Sequence, residues 1–123
     1  AYSIYKNLKP GGKFVGINDN PGNAPDYYKK YKKYGFLKSG QKQRQEGSSI
    51  IYTFFKEDGS TYSLQSYYLS LETYEKVFLS VGFKDFRWKT LSISEKSKEK
   101  YNLDYWRIFL NHPPIIGIEA IRD

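Results

Sequence analysis

The sequence predicts an α/β fold, a sheet covered by helices, on three observations. Its elements alternate as helix, strand, helix, hairpin, helix, strand, short helix, strand, the order expected of a layered α/β structure. Its 123 residues suffice for one domain with a core, or part of one, and not for two. Beside the hairpin there are only about three strands, so the sheet should carry an uncovered edge where further strands would pair.

Each element follows from local chemistry. Tyr2, Ile4, Tyr5 and Leu8 have the spacing of the last turns of an amphipathic helix, which Pro10-Gly11-Gly12 ends. Lys13-Phe14-Val15-Gly16-Ile17-Asn18 is short, largely apolar and bounded by turn residues, as a buried strand is, and Asp19-Asn20-Pro21-Gly22-Asn23 closes it in a loop. Pro25 suits a first helical position, Asp26 complements the positive end of the dipole, and Gly35 suits the stop of a helix carrying Tyr27, Tyr28, Tyr31 and Tyr34. The polar stretch from Ser39 to Ser49 reads as a loop. Ile50 to Leu69 reads as a hairpin turning at Asp58-Gly59. Ser70 can cap a helix with Leu71, Tyr74, Val77, Phe78 and Val81 on one face, and Gly82 can stop it so that Phe83 packs back on Phe78. Lys84 to Ser94 has the alternation of a strand, a charged connection follows, and Tyr101 to Leu110 suggests a short helix. Pro113-Pro114 stops that helix, and Ile115 to Ile121 is a last strand.

Composition excludes several chemistries. With no Cys there is no disulfide frame, thiolate nucleophile or Cys-based zinc site, and the lone His112, in Asn111-His112-Pro113-Pro114, reads as a turn residue rather than a metal ligand. A mean hydropathy of -0.71 and the lack of any run of about 18 apolar residues argue against a membrane helix. No secretory leader opens the chain, so a cytoplasmic location is the expectation. The absence of Met and the opening Ala1-Tyr2-Ser3-Ile4-Tyr5, which reads as mid-helix, lead us to expect a piece of a longer protein. The net charge of +7 suggests an attraction for nucleic acid, an anionic membrane or an acidic partner, but only Lys29-Lys30-Tyr31-Lys32-Lys33 is dense. Elsewhere, as in Ser94-Glu95-Lys96-Ser97-Lys98-Glu99-Lys100, both signs alternate as on a solvated helical face.

Leu8-Lys9-Pro10-Gly11-Gly12-Lys13-Phe14-Val15 resembles the segment that class I S-adenosylmethionine-dependent methyltransferases place between a helix and the fifth strand of their sheet. Tyr67 to Tyr74, running on to Val81-Gly82-Phe83, is similar to the helix and glycine-phenylalanine corner before the sixth strand. Tyr105-Trp106-Arg107-Ile108-Phe109 followed by Pro113 to Ala120 is similar to the last connection and antiparallel seventh strand of the members that act on small molecules. The matches span nearly the whole chain in order. The resemblance implies the carboxyl-terminal half of a Rossmann-like seven-stranded methyltransferase sheet with an inserted β-hairpin, residues 1–123 forming one partial domain. It also implies S-adenosylmethionine as cofactor of the complete protein, held beyond the first strands of the sheet. No position here matches the family's glycine-rich loop or its ribose-binding acid, so no cofactor-binding residue is assigned. The half alone is expected to be inactive.

The best site candidates are Asn18, Asp19 and Asn20, in the loop at the carboxyl edge where open α/β sheets place ligands, although such residues also simply make turns. Tyr27 and Tyr67 join them as substrate-binding candidates, within a possible aromatic lid of Tyr27, Tyr28, Tyr31, Tyr52, Tyr67 and Tyr68 that competes with plain packing. If methyl transfer needs a base, Tyr67 or Asp19 could act, and nothing in the sequence chooses between them. The expected partner is a small-molecule substrate, with no membrane and with self-association through the unpaired sheet edge left open. Two rivals stand beside this reading: a basic, aromatic nucleic-acid-binding module, and a non-catalytic methyltransferase-like subunit.

Overall fold

The computed structural model describes every residue from Ala1 to Asp123. Helix α1 (Tyr2–Asn7) is followed by the Pro10-Gly11-Gly12 reversal. Gly11, at φ 79°, donates its N–H to the Arg122 carbonyl, and the Arg122 N–H returns to the Gly12 carbonyl. This exchange pins the start of β1 (Lys13–Asp19) to the end of the last strand, β6 (Ile115–Arg122). Strand β5 (Phe83–Lys89) lies on the other side of β6, and both pairings are antiparallel, giving the order β1-β6-β5. Strands β1 and β5 are therefore parallel to one another, and β1 is an edge.

Helix α2 (Leu71–Ser80) forms as its residues predict. Ser70 Oγ accepts the Thr73 N–H, Gly82 takes a φ of 112°, and the Phe83 and Phe78 rings lie 5.3 Å apart. Phe78 also meets Phe14 and Phe86, which joins the helix to two strands of the sheet. The packed face is narrower than expected, because Val77 is exposed while Tyr74, Phe78 and Val81 pack.

The expectation of a single sheet with an inserted hairpin is corrected. The hairpin strands β3 (Ser49–Phe55) and β4 (Thr61–Tyr67) belong to a separate antiparallel sheet of order β2-β3-β4, whose first strand is β2 (Phe36–Gly40). The predicted loop from Ser39 to Ser49 thus gives Ser39 and Gly40 to β2 and Ser49 to β3. A strand of five residues is too short to display a period, and its pairing with β3 is non-local. Gly35, at φ 98°, turns the chain into it.

The helix predicted at Pro25 is a 3₁₀ helix, Pro25–Tyr34. Tyr28, Tyr31 and Tyr34 recur every third residue, which matches the three residues per turn of this helix and puts all three on one face. Tyr28 and Tyr31 are buried beneath β2, while Tyr34 stacks on Trp106 and meets Phe109 of α4 (Leu103–Asn111). The tyrosine helix thereby ties the second sheet to the segment before β6. The predicted aromatic lid is to that extent core: Tyr28 and Tyr31 are enclosed. The charged segment forms a short solvated helix, α3 (Glu95–Lys100), β5 stops at Lys89 rather than Ser94, and α4 starts at Leu103, where Asn102 caps it, rather than at Tyr101.

Only 14 of 123 residues are buried, so the packed interior leaves apolar surface uncovered. On β1, Val15 and Ile17 are both 67% exposed, on the face opposite α2. No helix is long and apolar enough to cross a membrane.

Candidate ligand cleft between the two sheets

Where β1 ends, the two sheets meet around a buried ion pair. Lys38 sits in the middle of β2, directly opposite Tyr52 of β3. Its side chain is 0% exposed and that of Asp19 is 5% exposed. The Lys38 ammonium donates to Asp19 Oδ1 at 2.7 Å, to Asn23 Oδ1 at 2.9 Å and to the Pro114 carbonyl at 2.6 Å. Its three hydrogens thus have three acceptors, the condition under which a buried ammonium is tolerated. The rings of Tyr28 and Tyr52 lie 5.1 and 5.2 Å from it, within cation–π range. Burial pulls the Lys38 pKa down and the Asp19 charge pulls the other way.

Asp19 Oδ1 also accepts the Tyr52 hydroxyl, so one carboxylate oxygen serves both partners. Burial, and next the nearby Asp19 charge, push the Tyr52 phenol well above its ordinary value. The other oxygen, Oδ2, has no protein donor and is not sealed from solvent. Asp19 lines an open cleft of about 290 Å³ whose walls are Ile17, Tyr52, Phe54, Leu64 and Ile115, with Asn18, Gln65 and Ser66 at its polar margin. The cleft combines one carboxylate and a few polar side chains with mostly apolar walls, the pattern of a small-molecule site, and its size is near the lower end of the roughly 300–1,000 Å³ usual for such sites.

The sequence-predicted site residues divide. Asp19 lines the cleft and supplies its one charged side chain. Asn18 alternates to the other face of β1, where its amide donates to the Tyr74 hydroxyl at 2.6 Å, and it touches the cleft only at the margin. Asn20 is a turn residue: its amide donates to the Pro113 carbonyl and its Oδ1 accepts the Gly22 N–H. Tyr27 stacks on His112 at 3.6 Å beside a separate, smaller hollow of about 110 Å³. Tyr67, at the end of β4, is 54% exposed and lies outside the cleft. Of the two candidate bases, Asp19 alone lines it.

Lys38 was not anticipated, nor the role of Tyr52. One signal was present: after Gly35 the alternation Phe36, Lys38, Gly40 puts a lysine on the same strand face as a phenylalanine. A lysine on an apolar face demands a buried acceptor. Nothing in the order of residues says that the acceptor is Asp19, 19 positions earlier.

No protein-family model and no curated protein matches the chain. Among solved structures it is similar to the crystal structure of a "putative S-adenosylmethionine dependent methyltransferase" from Listeria monocytogenes, with a TM-score of 0.55 and 19% sequence identity. The chain shares the fold of part of that protein. The likeness covers 99% of this chain and 53% of that one, so the chain spans about half of its length. Within the shared part, the last strand is antiparallel to its neighbours, as the sequence resemblance implied.

The Gly11-Gly12 turn does not fit the glycine-rich loop of a sulfonium cofactor site. The Gly11-Gly12 turn lies at the amino end of β1, away from Asp19, and its backbone is bonded to Arg122. A Cβ at Gly12 would meet the Lys9 carbonyl oxygen at 2.8 Å, so this glycine serves the tight reversal rather than a ligand's approach. No three His, Cys, Asp or Glu side chains gather as a metal site.

Proposed function

We propose that this chain is the acceptor-binding part of a methyltransferase that transfers a methyl group from S-adenosylmethionine to a small molecule, and that the cleft at Asp19 receives the acceptor. The observation that carries this reading is the location of the cleft. It opens at the carboxyl end of β1, an edge strand of a sheet whose fold matches part of a methyltransferase structure, and open α/β sheets bind their ligands at that edge. In this reading the Asp19 carboxylate orients the acceptor, the apolar walls exclude water, and the cofactor is held by a region outside these residues. Methyl transfer mainly requires alignment of acceptor, methyl and leaving sulfur, which such a cleft supports on the acceptor side.

Calorimetric titration of S-adenosylmethionine tests it. The 123-residue chain should give no binding heat, and a longer natural chain containing it should bind. A longer chain that folds and does not bind would sink the enzymatic reading and leave the non-catalytic subunit. A second reading draws on the exposed lysines of the 3₁₀ helix, Lys29, Lys30, Lys32 and Lys33. Binding of a single-stranded oligonucleotide at low salt, lost steeply as salt rises, would favour it.

A further inference from the structure

We infer that the Asp19 cleft selects an uncharged hydrogen-bond donor, a hydroxyl or neutral N–H carried on an apolar or aromatic body, and discriminates against organic cations. A carboxylate in an aromatic-walled cleft would ordinarily suggest an ammonium ligand, because both the charge and the ring faces attract cations. Lys38 reverses that expectation. Its ammonium is fully buried 2.7 Å from Oδ1, on the same carboxylate as the free oxygen Oδ2. The pair is neutral as a unit, and no other charged side chain lines the cleft. A second cation at Oδ2 would feel repulsion from Lys38 that offsets much of its attraction to Asp19, and would also lose its hydration.

The faces of the nearby tyrosines are committed too. Tyr52 already has the Lys38 ammonium over its ring and spends its hydroxyl proton on Asp19. What remains for a ligand is one accepting oxygen, Oδ2, in a side chain that is only 5% exposed. Leu64, 58% exposed, and Ile17 offer apolar contact with nothing over them. A neutral donor satisfies Oδ2 without adding charge, and its apolar body covers these two side chains.

The inference rests on the reading of the cleft as the acceptor site, but its test needs no cofactor, so the two can fail separately. Benzyl alcohol, benzylamine (an ammonium at neutral pH) and toluene share one ring and differ in the group offered to Oδ2. Each is titrated into the 123-residue chain while backbone amide chemical shifts are followed. Benzyl alcohol should shift the amides of Asp19, Tyr52, Leu64 and Ser66, with an affinity at least about fivefold above that of benzylamine and of toluene, a gap of the size one neutral hydrogen bond supports. Leu64→Ala, at an exposed position that the fold tolerates, should weaken benzyl alcohol severalfold. Tighter binding of benzylamine would overturn the inference, as would equal binding of toluene or shifts that avoid the cleft for all three probes. Cofactor binding by a longer chain, with no alcohol preference here, would retain the methyltransferase reading and reject this selectivity.

Discussion

At the scale of single residues, Lys38 has more consequences than any other side chain. Removing one partner of a buried pair leaves the other uncompensated, so Lys38→Met should lower stability by about 3–5 kcal/mol. Adding Asp19→Asn to that variant removes the stranded charge and should recover part of the loss, which urea unfolding of the single and double variants would measure. Tyr31 gives a second test. Its hydroxyl accepts from the Asn23 amide and donates to the His112 carbonyl, and burial pushes its pKa from 10.0 up to about 12. A phenol whose folded value is raised contributes stability that is complete below its ordinary pKa and is lost as pH climbs through the folded one. Stability should therefore fall between pH 10 and about 12. The lowered Lys38 acts with the opposite sign, since the unfolded chain then holds more protons as pH approaches 10.5. Tyr31→Phe should be less stable at neutral pH but show a flatter alkaline decline, read from melts at a series of pH values. An unchanged slope would count against burial as the cause.

At the scale of elements, helix and turn boundaries rest on a few replaceable contacts. The cap on α2 is Ser70, whose own N–H meets Glu46 Oε1 while the Thr73 hydroxyl meets Oε2. Ser70→Ala should cost about 1 kcal/mol through the lost cap alone. Two glycines that stop helices are distinguished by what surrounds them. Gly35 and Gly82 both have positive φ, but a Cβ at Gly35 meets nothing within 4 Å, whereas one at Gly82 meets the Tyr5 ring at 3.0 Å. Gly35→Ala should cost about 1–2 kcal/mol from the left-handed backbone, and Gly82→Ala should cost more because it must also displace Tyr5. Thermal melts of the two variants should rank in that order.

At the scale of the molecule, β1 is an edge strand with Val15 and Ile17 turned to solvent. Long apolar edges invite pairing with another chain. The isolated 123-residue chain should therefore associate as its concentration rises. Val15→Lys combined with Ile17→Lys should reduce that association without unfolding the chain, since both positions are already open, and sedimentation velocity would follow it. An unchanged mass at all concentrations would assign the exposed face no role in self-pairing. The two-sheet arrangement is held across by a handful of polar contacts, above all Lys38 with Asp19 and Pro114, and by the tyrosine helix between Phe36 of β2 and Trp106 of α4. Loss of Lys38 should for this reason loosen the second sheet first, visible as earlier amide exchange in β2 than in β6.

What the sequence determined by itself was local. The stop signals Pro10, Gly35 and Gly82, the cap Ser70 and the Asp58-Gly59 turn are written in residues that act on their neighbours, and they stand where they were read, whereas the order of elements omitted β2 and α3. It also marked Asp19 at the carboxyl end of β1, because turn chemistry and strand ends are local too. Only the tertiary structure decided that the hairpin joins β2 in a second sheet, that Tyr28 and Tyr31 are core rather than lid, and that Asp19 faces Lys38 while Asn18 faces Tyr74. These depend on pairings between residues far apart in the chain, and on which face of a strand is turned inward. A lysine becomes half of a buried ion pair only when folding brings it an acceptor, and its neighbours in sequence carry no record of where that acceptor lies.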